Sequence, residues 1–342
     1  MMVSTVNDTS RHSTGNTLLS VRGLGVSFQS RAGMVDVTQD VSFDIAAGER
    51  VGIVGESGCG KSVTGLALLG LLPQRTSHVI GQVLLDGFNI NGMKEREMRR
   101  VRGAQIAMNF QEPMSALDPV FSIGAQISEA VRSHFLVGAR EARDIAIEAL
   151  IKVGIPLPER RYDEYPHQLS GGMRQRAMIA IALVCKPRLL IADEPTTALD
   201  VTVQAQIIDV LTQLSEESGT ALLFITHDLG VVAQTCHRVL TMYAGEIVED
   251  AAVDDVLLRP KHPYTSGLMR SLPSLSPRKT PLPSIPGRVP LPVDMPRGCR
   301  FEPRCTYAMP NCSAPQTLLK AESSRLVRCC RFEEIALLGT VT

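Results

Sequence analysis

The eight residues Gly55-Glu56-Ser57-Gly58-Cys59-Gly60-Lys61-Ser62 constrain this 342-residue chain more than any other stretch. They fit the pattern G-x-x-x-x-G-K-[ST], which carries meaning only between a strand and a helix. Both flanks are present. Residues 50–54 form a short apolar, β-branched run that reads as a buried strand, and residues 63–72, rich in Leu and Ala, read as a helix stopped by Pro73. Strand, glycine loop and helix together point successive backbone N–H groups and a positive helix end at a phosphate chain. Lys61 would reach the β/γ-phosphates and the Ser62 hydroxyl a Mg²⁺ ion. Cys59 fills a variable position in the loop as a small side chain. The stretch predicts nucleoside triphosphate binding.

Such a loop needs an α/β core, and the chain supplies one. Residues 18–28 and 35–45 read as strands, the second by alternation of Val41, Phe43 and Ile45 with polar residues. Phe28 is the aromatic best placed to stack on a nucleotide base, and fits a core phenylalanine equally well. Residues 81–90 and 104–110 read as further strands. The latter ends in Gln111, a residue type that at a strand tip can ligate Mg²⁺ or orient a water. From 112 to 187 the texture changes to helices over 123–135, 139–153 and 172–185, a helical insertion in the α/β core. Within it, Ser170-Gly171-Gly172 opens a helix whose free N–H groups and dipole make a second anion site.

Residues 188–194 then give a buried strand ending in two carboxylates. Asp193 at its tip would hold Mg²⁺ through water, and Glu194 would polarise the water that attacks the γ-phosphate. Ala198-Leu199-Asp200 follows, then a helix with Val203, Ile207, Val210 and Leu214 on one face. Residues 221–226 form another apolar strand that ends at His227-Asp228. A histidine at a core strand tip, among the other candidate groups, reads as functional.

Composition narrows the class. Lys plus Arg equals Asp plus Glu, so no global charge favours nucleic acid, and no apolar run approaches a membrane span. Residues 1–17 are polar, lack an apolar stretch and read as a disordered tail, not a signal peptide. Five of the eight cysteines fall between Cys299 and Cys330; without an export signal, that cluster argues for metal over disulfides. Zinc modules pair close cysteines, whereas Cys299, Cys305, Cys312 and Cys329 are spaced by five, six and sixteen residues, which suits an iron–sulfur cluster. Zinc and unliganded thiols stay open, and adjacent Cys330 could replace Cys329.

In their order, the loop at 55–62, Gln111, the Leu169-Ser170-Gly171-Gly172-Met173 segment, the 189–194 strand, Ala198-Leu199-Asp200 and His227 resemble the motifs of the ATPase subunits of ABC transporters. The family's commonest signature ends in Gln where this chain has Met173, a variant usual in the peptide-importer branch. His262-Pro263-Tyr264 resembles a motif that follows the core in oligopeptide, dipeptide and nickel importers, and the cysteine spacing resembles the [4Fe–4S] segment of dipeptide/oligopeptide "D" subunits.

The resemblance implies a mixed α/β ABC-type core over 18–258 with its helical subdomain at about 112–187. It also implies an extension over 259–342 with a Pro-rich linker and a small Cys-rich part. ATP, Mg²⁺ and a [4Fe–4S] cluster are the implied cofactors. Implied partners are a second ATPase subunit (a paralogue or another copy), two transmembrane permease subunits and, indirectly, an extracytoplasmic solute-binding protein, at the cytoplasmic face of the cell membrane. Peptides are the expected cargo, with nickel, glutathione or a sugar oligomer as alternatives. A non-transport ABC ATPase would carry two cassettes or long coiled-coil inserts, and a small-molecule kinase has no use for the second anion site.

Overall fold

The computed structural model describes residues 17–31, 33–196, 200–271, 284–291, 294–322 and 324–340. Ala198, Leu199 and much of the expected Pro-rich linker lie outside them. Among the described residues, no helix is long and apolar enough to cross a membrane.

Two sheets face each other. The first is antiparallel, in the order β2-β1-β4-β5: β1 (Thr17–Ser30), β2 (Gly33–Ala46), β4 (Ser77–Leu85) and β5 (Phe88–Asn89). The second runs β11-β12-β10-β9-β3-β8-β7-β6. From β9 to the β6 edge it is parallel: β3 (Arg50–Val54), β6 (Ile106–Asn109), β7 (Leu189–Asp193), β8 (Ala221–Ile225) and β9 (Arg238–Tyr243). Strands β7 and β8 are buried at every residue, which is why they read as unbroken apolar runs. Their alternate residues serve two cores. Leu189, Ile191, Leu223 and Ile225 pack with the antiparallel sheet and α1 (Lys61–Leu68); Leu190, Ala192, Leu222 and Phe224 pack with helices on the opposite face.

Those helices are mostly the insertion. Between β6 and β7 lie α3 (Pro113–Ala116), α4 (Ile123–His134), α5 (Ala139–Lys152), α6 (Pro158–Tyr162) and α7 (Gly171–Leu183), close to the expected spans. Short α2 (Glu95–Val101) precedes β6 and buries only Met98. The long α8 (Val201–Ser218) and α9 (Leu229–Thr235) complete the layer.

One expectation needs correcting. Residues 81–90 are not a single strand: Asp86-Gly87 turns the chain back, with both residues at positive φ (49° and 81°) and Leu85 paired with Phe88. An Asp-Gly pair favours this two-residue hairpin turn because glycine has no Cβ to clash and Asp tolerates the left-handed region.

The C-terminal segment continues the main sheet. After β10 (Glu246–Ala252), α10 (Val253–Leu258) and α11 (Pro263–Arg270), the chain returns as β11 (Leu319–Glu322) and β12 (Arg325–Val327), and β12 pairs antiparallel with β10. A buried ion pair fastens the join: Arg325 Nε donates to Glu249 Oε1 at 3.1 Å, with both side chains at most 2% exposed. Glu249 also accepts the backbone N–H groups of Lys261 and His262. Burial pushes His262 down to about 3, so its ring stays neutral, and Nδ1 accepts the Tyr264 N–H to cap α11.

Candidate functional site

The expected site residues of the parallel strands gather at their carboxyl ends, where ligands bind in open α/β sheets. Between β3 and α1, the glycine loop is shaped by close approach. A Cβ on Gly55 would lie 2.1 Å from the Met242 carbonyl oxygen, and one on Gly60 (φ 102°) 2.8 Å from Thr38 Cγ2. Only glycine fits either place. Ser57 and Gly58 form the exposed crest, whereas Cys59 is buried beneath it. No side chain caps α1, which leaves its first N–H groups for a ligand. Lys61 is buried, its ammonium donating to the carbonyls of Gly55 (2.9 Å) and Glu56 (3.1 Å).

Ser62 and Asp193 meet across the loop, with Ser62 Oγ donating to Asp193 Oδ1 at 2.9 Å. Burial raises the Asp193 pKa, the Ser62 bond opposes the rise, and the neighbouring Glu194 charge adds to it. A hydroxyl and a carboxylate, side by side and partly desolvated, are the hard oxygen donors that suit Mg²⁺. Glu194 follows at φ 44°, a left-handed backbone unusual for a non-glycine residue and of a kind that clusters at functional sites. Its two carboxylate oxygens are each held: Gln111 Nε2 donates to Oε2 at 2.9 Å, and His227 Nδ1 lies 3.2 Å from Oε1. Gln111, expected at the ion or at a water, thus has its amide nitrogen on the expected base.

Other candidates stand apart. Phe28 is half-buried on β1 and packs against the core of the antiparallel sheet, leaving part of its ring open. Ser170 is exposed and caps α7 by accepting the Met173 N–H at 3.3 Å. Gly171 and Gly172 form the first turn there, on the helical subdomain.

The cysteines converge in part. Cys299, Cys305, Cys312 and Cys329 all line one gap of about 20 Å³, while Cys330 is exposed. Burial pushes Cys299 up to about 12 and Cys329 to about 11, with neighbouring sulfurs adding to the rise. Among the described residues, however, no group of three or more His, Cys, Asp or Glu side chains is drawn together tightly enough to hold a metal ion. The expected ligand set shares one place without closing to the contact a single ion requires.

Sequence reasoning missed how this segment meets the nucleotide loop. Tyr264 Oη accepts the Glu56 N–H at 2.9 Å, and Arg304 pairs with the Glu56 carboxylate at 2.9 and 3.1 Å. Arg300 bonds the Ala244 carbonyl and the Gln39 side chain. The only signal was position: Arg300 and Arg304 adjoin Cys299 and Cys305, and Tyr264 lies in the His-Pro-Tyr motif.

Comparison with known proteins agrees with this arrangement. Residues 38–197 match the ABC transporter family model, and residues 248–312 match that of the oligopeptide/dipeptide transporter C-terminal region. A probable peptide ABC transporter ATP-binding protein of Sinorhizobium fredii is 50% identical over 321 residues, covering 93% of this chain and 96% of the relative. A putative peptide import ATP-binding protein of Brucella melitensis is 48% identical over 332 residues, covering 93% and 98%. Among solved structures, the dimeric ATP-binding cassette MJ0796 in a post-hydrolysis state with ADP and Pi superposes with a TM-score of 0.62 at 27% identity, covering 69% of this chain and 99% of that one. The cbiO1 protein of Clostridium perfringens, part of an ABC transporter complex, gives 0.59 at 28% identity, covering 70% and 90%. The chain therefore belongs to the ATP-binding subunits of ABC transporters, ATPases, in the branch that carries the oligopeptide/dipeptide-transporter C-terminal region.

Proposed function

We propose that this chain powers an importer of di- or oligopeptides. It would work at the cytoplasmic face of the cell membrane as one half of an ATP-sandwiching dimer, with a second ATPase subunit, two permease subunits and an extracytoplasmic binding protein. The observation that carries the catalytic reading is the double hold on Glu194. A carboxylate fixed at both oxygens by Gln111 and His227, one residue beyond the Ser62–Asp193 pair, is positioned to take a proton from an attacking water. Lys61 would exchange its two carbonyl partners for phosphate oxygens. Ser62, Asp193 and Gln111 are the oxygen ligands we assign to Mg²⁺, which would neutralise charge on the phosphates.

The exposed Ser170-Gly171-Gly172 turn supports the sandwich. It is an anion site carried on the helical subdomain, suited to the γ-phosphate held by a facing subunit. Hydrolysis would remove that bridge and let the dimer open. Peptide cargo rests on the names of the relatives and on the C-terminal region. The domain limits follow as proposed: the core over 18–258, with its helical subdomain at about 112–187, and the extension over 259–342.

We also assign a [4Fe–4S] cluster to Cys299, Cys305, Cys312 and Cys329. Their convergence on one gap supports it, as does the lack of a zinc-type pair of cysteines two to four residues apart. A four-iron cluster spans more space than one ion, so its four cysteine sulfurs stand farther from one another than those around a single zinc. It would act as a staple for a segment with little core of its own.

Two measurements test these readings. The chain alone should hydrolyse ATP slowly, and the complex reconstituted in liposomes should take up labelled dipeptides. A fully active monomer would contradict the sandwich, and uptake of nickel or glutathione instead would replace the cargo. Anaerobically purified protein should carry about four irons per chain, lost in Cys305→Ser; stoichiometric zinc without iron or sulfide would overturn the cluster.

A further inference from the structure

Among the described residues, the C-terminal segment makes its hydrogen bonds to the nucleotide loop at Glu56, and every polar part of that residue is engaged. The Glu56 N–H donates to Tyr264 Oη at 2.9 Å. Its carboxylate accepts both terminal nitrogens of Arg304, at 2.9 and 3.1 Å. Its carbonyl accepts from Lys61 Nζ at 3.1 Å. Glu56 thus stands between the phosphate-reaching lysine on one side and the cysteine segment on the other.

The two outer partners are themselves rigid. Tyr264 is fully buried, its ring tilted against Tyr243 with centroids 4.7 Å apart and against Phe301 at 5.5 Å. The Arg304 side chain is 5% exposed; Nε donates to the Pro286 carbonyl at 2.9 Å, and the guanidinium lies over the Tyr243 ring. Cys299 and Cys305 pack on this same aromatic cluster.

Such bracing answers a physical need. Gly55 and Gly60 give the loop its close approaches and Gly58 a left-handed turn, but all three leave its backbone permissive, so holding it in one shape costs conformational entropy. A bidentate guanidinium–carboxylate pair fixes direction as well as distance, and fixing the loop before the ligand arrives raises affinity.

We infer that Tyr264 and Arg304 are positioning residues for ATP. Through Glu56 they set the strand-side limb of the loop, whose carbonyls hold the Lys61 ammonium, and so couple the cysteine segment to the nucleotide site. By linkage the coupling runs both ways: ATP steadies the segment as the segment steadies the loop. The inference rests on ATP occupying the 55–62 loop and is independent of what the cysteines hold.

The test uses the full chain assembled with its partner subunits. Tyr264→Phe keeps the ring and removes the hydroxyl; Arg304→Lys keeps the charge and removes the fork. Each should raise KM for ATP by about three- to tenfold, the range of a single hydrogen bond, with kcat nearly unchanged. Amide exchange at residues 55–60 should quicken. In a Glu56→Gln background, Arg304→Lys should add little further. In the unaltered protein, a non-hydrolysable ATP analogue with Mg²⁺ should slow exchange at residues 299–305. A lower melting temperature with unchanged KM and unchanged loop exchange would overturn the inference and reduce the contacts to pins for the segment. Unchanged exchange at 299–305 on nucleotide binding would overturn the coupling. If Lys61→Ala left ATP affinity intact, the nucleotide assignment itself would have failed.

Discussion

The strand tips and the C-terminal segment reach the same sheet by opposite routes. At the tips, Asp193 ends β7 with Glu194 next to it, His227 follows β8 and Ser62 opens α1 beyond β3, so the parallel strands bring all four together. Among the described residues, the C-terminal segment has only two short strands of its own. It is held by arginines that reach into the core: Arg325 to Glu249, Arg328 to Asp40, Arg300 to Glu246 and Arg304 to Glu56. A site built on strand ends can lose a side chain and keep its frame. A segment built on charge pairs loses frame and contact together.

That contrast can be broken at either side. The largest effect belongs to Glu194→Gln, which should cut ATP turnover by ~10²–10⁴-fold, as loss of a general base does. ATP binding and the melting temperature should hardly move, because β7 is buried and complete without the carboxylate. Equal losses in turnover and stability would erase the distinction drawn here.

Arg325→Met works in reverse. It strands Glu249 as a buried charge, which typically costs about 3–5 kcal/mol, and should show as a marked fall in melting temperature with the residues of the catalytic cluster untouched. A variant as stable as the parent would mean that backbone donors at Lys261 and His262 suffice for Glu249.

Ser170→Ala sharpens the comparison with the smallest effect. Loss of the cap should cost α7 about 1 kcal/mol. Turnover of the assembled dimer should fall further than this, while ATP affinity of the isolated chain stays unchanged. A parallel loss of affinity in the isolated chain would place the signature turn at its own loop.

The same contrast explains what the sequence disclosed. Strand-tip chemistry was legible because strand and motif are adjacent: the apolar run into Asp193-Glu194 announces both the element and its function. The helical insertion was legible from composition. The Asp86-Gly87 turn was misread although its chemistry lay in two adjacent residues, because the apolar residues on either side suggested one continuous strand. Pairing of β12 with β10 had no local sign, since it depends on Arg325 finding Glu249 across 76 positions. For the same reason Arg304 looked like an incidental neighbour of Cys305, not a partner of Glu56 across 248 positions.

The β10–β12 pairing also sets a schedule. Domains form from the N-terminus as synthesis proceeds, at ~5–20 residues per second, so strand β10 emerges roughly 4–15 s before its partner. For that interval the growing sheet presents an open edge with Glu249 uncompensated upon it. Unpaired edges invite intermolecular strand addition, so the nascent chain is most vulnerable after its nucleotide loop has been made and before residues 325–327 arrive.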